Sequence, residues 1–88
     1  MKLEIGTEIY NTGDMANPQH FGEITKILQD GRVYEITPHD KDIPKYRVEW
    51  FNFSPEFKGN CSTRLVTKEA WGKWYTAKYG DFKMASGI

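Results

Sequence analysis

Asp30 and Gly31 stand between two runs rich in β-branched residues, 22–29 and 32–37. An Asp-Gly pair readily takes the left-handed backbone of a tight two-residue turn, so this stretch is committed to an antiparallel hairpin rather than to helix. With such a turn Gln29 faces Arg32, Ile27 faces Tyr34, and Lys26 faces Glu35 as an opposite-charge cross-strand pair, to within one residue of register. Both faces of the hairpin then carry apolar groups. That pattern suits a strongly curved strand shared between the two sides of a small barrel, with a bulge as one means of reaching it.

The rest of the chain has to complete that barrel with little material. It has 88 residues and a single cysteine, Cys61, so neither an intramolecular disulfide nor a multi-thiolate metal site can form. At this length roughly 60–65% of the unfolded surface is buried on folding, and large side chains must carry much of the stability. Aromatics reach 15%, five Phe, five Tyr and three Trp, and each ring buries about 150–250 Å². No run approaches the ~18–20 apolar residues of a membrane span, and the N-terminus lacks the pattern of a secretory signal. A reducing, cytoplasmic setting is expected.

A formal net charge of zero hides an asymmetry, because residues 1–44 carry four basic and eight acidic groups while residues 45–88 carry the reverse. Such a dipolar chain can offer one basic face despite its neutral total, or its halves can simply attract each other on folding.

Ile5, Thr7 and Ile9 alternate with Gly6, Glu8 and Tyr10, the period of a half-buried strand. Residues 11–19 have loop chemistry. Tyr46, Val48 and Trp50 alternate with Arg47 and Glu49 as the core face of another strand, and residues 62–66 suit a short last one. Between them, residues 51–61 mix Phe51, Phe53 and Phe57 with Asn, Ser, Pro and Gly. That loop either folds back to cap the barrel or presents an apolar surface. Thr67 is a suitable N-cap for a helix over residues 68–79, where Trp71, Trp74, Tyr75 and Tyr79 form one stripe. Trp71 and Tyr75 read as core, Trp74 as partly exposed, with Lys78 either snorkelling or stacking on a ring. A single domain over 1–82 and a flexible tail at 83–88 are expected.

The order of Ile5-Gly6-Thr7-Glu8-Ile9, a polar loop, Gly22-Glu23-Ile24-Thr25-Lys26-Ile27, the Asp-Gly hairpin and Tyr46-Arg47-Val48-Glu49-Trp50 resembles Src-homology-3-like barrels, particularly Tudor and KOW-type modules. The likeness spans residues 3–66. It implies a mainly β fold, a five-stranded barrel, here followed by one C-terminal α-helix that the minimal barrel lacks. It also implies a binding module that works through loop aromatics, which by position are Tyr10, Phe21, Phe51 and Phe53. The first half lacks the basic character of KOW modules.

Catalytic patterns are weak. His20 and His39 have no partner at a metal-ligand spacing, although His39 neighbours Asp40 and Asp42. Nothing near Cys61 suggests an activated thiol. The glycines approach no phosphate-loop spacing. The expectation is therefore a non-enzymatic module, without cofactor or metal, that recognises a protein partner through Tyr10, Phe21, Phe51, Phe53 and Trp74. Acidic loop residues such as Asp14 and Asp40 would tune specificity. The alternative is nucleic-acid binding through Arg64, Lys68, Lys73 and Lys78, with Trp74 stacking on bases. The ring excess is also compatible with a homodimer.

Overall fold

The computed structural model describes residues 3–14, 16–59 and 64–80. The hairpin forms as its residues require. Strand β2 (His20–Leu28) pairs with β3 (Val33–Pro38), with Lys26 opposite Glu35 and Ile27 opposite Tyr34. Asp30 and Gly31 both have positive φ, 56° and 88°, and the Arg32 N–H donates to the Gln29 carbonyl. That is the mirror-image turn whose twist matches a hairpin.

Between Ile24 and Lys26 the register slips, leaving Thr25 as the extra residue of a β-bulge. Its consequence follows from the two-residue period of a strand. Ile24 and Ile27 lie three apart and would face opposite sides of a regular strand. The bulge absorbs one residue, so Ile24 opposite Ile36 and Ile27 opposite Tyr34 share one face. Bulges also bend the strand, and the sheet curls into a half-barrel.

Three further strands extend that sheet: β1 (Glu8–Asn11), β4 (Tyr46–Glu49) and β5 (Leu65–Thr67), in the order β4-β3-β2-β1-β5, with all neighbours antiparallel. Gly22 lies against β3, and a Cβ there would lie 2.8 Å from the Thr37 carbonyl oxygen. The concave side holds the core: Leu3, Ile9, Ile24, Tyr34, Ile36, Phe53 and Leu65, with Ile27, Tyr46 and Val48 packed against it. A parallel bridge between Phe53 and Leu65, with the Ser54 N–H donating to the Leu65 carbonyl, ties the loop after β4 to β5.

Helix α1 (Lys68–Tyr79) lies where the stripe predicts, and the Thr67 hydroxyl accepts from the Ala70 N–H at 3.1 Å. None of its residues is fully buried. It covers the convex side of the sheet, with Trp71 5.7 Å from the Tyr10 ring and 5.1 Å from the Phe21 ring. Trp71 and Tyr75 therefore form a second, half-buried layer rather than part of the main core. Among the described residues no helix is long and apolar enough to cross a membrane.

Three expectations are corrected. Ile5 is 66% exposed, because residues 4–7 make a turn closed by the Thr7 N–H on the Glu4 carbonyl, and β1 begins only at Glu8. Trp50 leaves the core face of β4, since the strand ends at Glu49 and a 3-10 turn (Trp50–Asn52) follows. Phe53 is not a surface aromatic: it is 8% exposed and meets the Tyr34 ring edge-on at 5.7 Å. Residues 62 and 63 of the expected last strand, Cys61, and the expected tail at 83–88 lie outside the described residues.

Phe51 and Phe53 make a paired stability test. Phe53→Ala should lose about 3–5 kcal/mol in urea unfolding, as for a buried ring. Phe51→Ala, from an exposed position, should stay within about 0.5 kcal/mol of the parent.

Candidate functional site

The concave side ends in a polar row. Register places Asn11 of β1 beside His20 of β2 and Leu65 of β5. Tyr46 of β4 reaches across the open barrel to this row, its hydroxyl 3.0 Å from Asn11 Nδ2 and 2.8 Å from His20 Nε2. The directions of these bonds can be deduced. The Gly13 N–H donates to Asn11 Oδ1, which turns the Asn11 amide so that its Nδ2 donates to Tyr46. His20 Nδ1 lies 3.0 Å from the Pro18 carbonyl, an acceptor only, so Nδ1 carries the proton. Nε2 then accepts from the Tyr46 hydroxyl. Both imidazole nitrogens are thereby occupied, and the β1–β2 loop is pinned to β4.

Burial pushes the Tyr46 phenol above its usual value, with the Asn11 hydrogen bond opposing. Tyr10, beneath the helix, is also raised by burial, and its hydroxyl donates to Gln19 Oε1. Asp14 shifts the other way. The backbone N–H groups of Ala16 and Asn17 donate to its carboxylate and hold its pKa below the ordinary value, with help from the Asn17 side chain and the Arg64 charge.

Next to this row a groove of about 480 Å³ runs between β4 and the start of β5. Tyr46, Val48 and Leu65 give it apolar wall, and Lys45, Arg47 and Arg64 stand around it. Glu35, only 13% exposed in its side chain, lies 3.4 Å from Arg47 and 3.8 Å from Lys45. The expected Lys26 pairing holds in register, while these β4-side cations make the ion pairs.

At one end of β4 the turn Trp50–Asn52 projects two rings. Trp50 is 58% and Phe51 60% exposed, with centroids 6.0 Å apart and edge-to-face. The turn is well held. The Trp50 N–H donates to the Arg32 carbonyl at 2.8 Å, Asn52 Nδ2 to the Glu49 carbonyl, and the Phe53 N–H to the Trp50 carbonyl, while Phe53 itself anchors in the core.

The sequence-expected site residues separate into different places. Tyr10 and Phe21 lie under α1, where they meet at 4.9 Å, and Trp74, on α1 itself, meets Phe57 at 4.6 Å. Their rings are engaged in holding the helix. Only Phe51 is exposed, and its neighbour is Trp50, which alternation assigned to the core. The four cations of the nucleic-acid alternative do not form one ridge. Lys68, Lys73 and Lys78 are spaced by five residues, and at 3.6 residues per turn each points about 140° away from the one before it. Lys68 lies over the Phe21 ring, Lys73 pairs with Glu69, and Lys78 lies over Trp74 and Tyr79, as expected for that lysine. Arg64 is elsewhere, at the groove.

His39 is drawn away from Asp40 and Asp42: its Nε2 is 2.6 Å from Glu8 Oε1 at the surface. Among the described residues no group of three or more His, Cys, Asp or Glu could hold a metal ion. The chain matches no family model, no curated protein and no solved structure.

Removing the Tyr46 hydroxyl isolates the pin. Tyr46→Phe should cost about 1 kcal/mol, since the buried His20 and the half-buried Asn11 each lose a hydrogen bond. Its alkaline limb should also change. A folded-state pKa above the ordinary 10.0 means that this stability is fully present below pH 10 and lost as pH rises through the raised value. Urea midpoints measured from pH 8 upward should fall above pH 10 in the parent, and less steeply in Tyr46→Phe.

Proposed function

We propose that this chain is a non-enzymatic protein-recognition module of the Src-homology-3-like kind, and that its contact surface is the Trp50/Phe51 knuckle with the adjoining groove. The knuckle is the observation that carries this reading. Two large rings stand in solvent on a turn held by three hydrogen bonds, while the neighbouring Phe53 is buried. Loop slack does not account for their exposure. Aromatic anchors dominate the energetics of protein interfaces, and a rigid presentation reduces the entropy lost on binding. The groove beside them supplies polar and charged groups for specificity.

Several features fit a role without chemistry. Both nitrogens of the buried His20 are engaged, so it has no free lone pair to act as a base. His39 is an exposed partner of Glu8. Lys68, Lys73 and Lys78 do not share one face of α1, and Lys68 and Lys78 lie over the protein's own rings, which favours a protein ligand over a polyanion at the helix. A single cysteine suits a reducing interior such as the cytoplasm.

Selection from a displayed peptide library tests the reading. Selected peptides should bind the parent with little dependence on salt. They should lose at least about tenfold in affinity for the Trp50→Ser/Phe51→Ser double variant, whose Tm should stay within a few degrees of the parent. Tight binding of single-stranded DNA that weakens steeply with salt, and that the double variant retains, would replace this reading with the nucleic-acid one.

A further inference from the structure

Strand β4 ends the sheet, with β3 as its single strand partner among the described residues. The other terminal strand, β5, is already contacted on its far side by Phe53 and Ser54. The free side of β4 borders the groove, and the groove takes its lining from both faces of that strand. Tyr46 and Val48 contribute from the concave face, Arg47 and Glu49 from the convex face. A concavity that wraps the edge of a strand on both faces has the outline of an absent strand. The edge itself is lightly guarded: it carries charges, but no proline and no bulge interrupt Tyr46–Glu49.

We propose that β4 takes up an extended partner segment as an added strand, and that the segment alternates apolar with acidic residues. The proposal rests on the protein-recognition reading above and specifies its mode. Main-chain N–H and C=O groups of the edge supply register and affinity, and the two faces supply selection. On the concave side the alternate residues meet Val48 and Leu65, which call for apolar side chains. On the convex side they lie beside Arg47 and Lys45, and Arg64 stands on the opposite wall. Lys45 and Arg47 share the single carboxylate of Glu35, and their side chains stay 69% and 60% exposed. Of the acids lining the groove, Asp14 is held by the Ala16 and Asn17 amides and Glu49 lies at the Trp50 end, so the two cations still face an incoming chain. An opposite charge placed across from Arg47 forms a cross-strand pair. Because β4 runs directly into Trp50, the same segment continues onto the knuckle.

The probe is a capped octapeptide of alternating valine and glutamate, titrated into isotope-labelled protein. The expected result is backbone amide shifts concentrated at Tyr46–Glu49 and at residues 64 and 65. N-methylation of alternate peptide amides should weaken binding at least about tenfold in one of the two phases, because one set points at the edge and the other away. A valine–lysine peptide and a peptide of the same composition in two blocks should bind more weakly. Arg47→Gln should reduce affinity about three- to fivefold. Absence of binding at millimolar peptide overturns the proposal, as do shifts confined to α1 or indifference to N-methylation in both phases. If strand addition fails while library peptides still depend on Trp50 and Phe51, the recognition reading stands and only its mode is wrong. Self-association of the peptide-free protein through β4 would assign the edge to a second copy and likewise overturn the proposal.

Discussion

The bulge at Thr25 is the constraint on which the architecture depends. It brings Ile24 and Ile27 to the same side of one strand, where they face Ile36 and Tyr34. Without it, one of these isoleucines would sit on the convex face, and the concave core would lose a side chain that a domain this small needs. The same extra residue bends β2, and a bent central strand turns a five-stranded sheet into a half-barrel. Curvature then brings Tyr46 on β4 close enough to meet His20 and Asn11, two and three strands away in the sheet order. The groove is the gap left over between the two ends of the sheet.

The sheet divides the side chains by chemistry. Its concave face is mainly aliphatic and tight, with Ile9, Ile24, Ile36 and Leu65 among the fully buried residues. Its convex face is aromatic and looser. There Phe21, Tyr10 and Val66 share a register row, and Trp71 of α1 rests on the first two rings. Tilted and edge-on ring pairs contribute about 0.5–1.5 kcal/mol each beyond area burial, which suits a helix that buries none of its residues completely. Rings that on composition alone could have formed a binding patch are instead the means of holding α1. Of the exposed rings, Tyr79 rests at 4.8 Å on Tyr75 at the end of α1, whereas Trp50 and Phe51 stand away from the helix and gain significance for that reason.

Burial of Phe53 and exposure of its neighbours are two results of one turn. A 3-10 turn over Trp50–Asn52 reverses the chain tightly enough for Phe53 to enter the core and bridge to Leu65. The backbone is then committed, and the rings at positions 50 and 51 have nowhere inside to go. The proposed function uses this geometry directly: a rigid apolar projection at the end of an unpaired strand edge, beside a groove with cations around it.

Elements set by neighbours in the chain were legible in the residues. The Asp30-Gly31 turn, the pairing of Lys26 with Glu35, and the helix Lys68–Tyr79 with its Thr67 cap all come from interactions over a few residues, which spacing reveals. The alternation at Tyr46 and Val48 likewise placed β4. Alternation failed at Trp50 and at Ile5, because a period states which side a residue would face if the strand continued, not where the strand stops. Long-range facts left no mark. That Phe53 is inside and Phe51 outside depends on Leu65 and Tyr34, far along the chain. That His20 is a buried partner of Tyr46 depends on curvature across three strands. The sequence by itself determined a curled, mainly β domain with one capped helix, since those choices are local free energies. Which rings became core, which became helix support and which stayed in solvent was decided only by the tertiary structure, because each outcome depends on what the rest of the chain brings alongside.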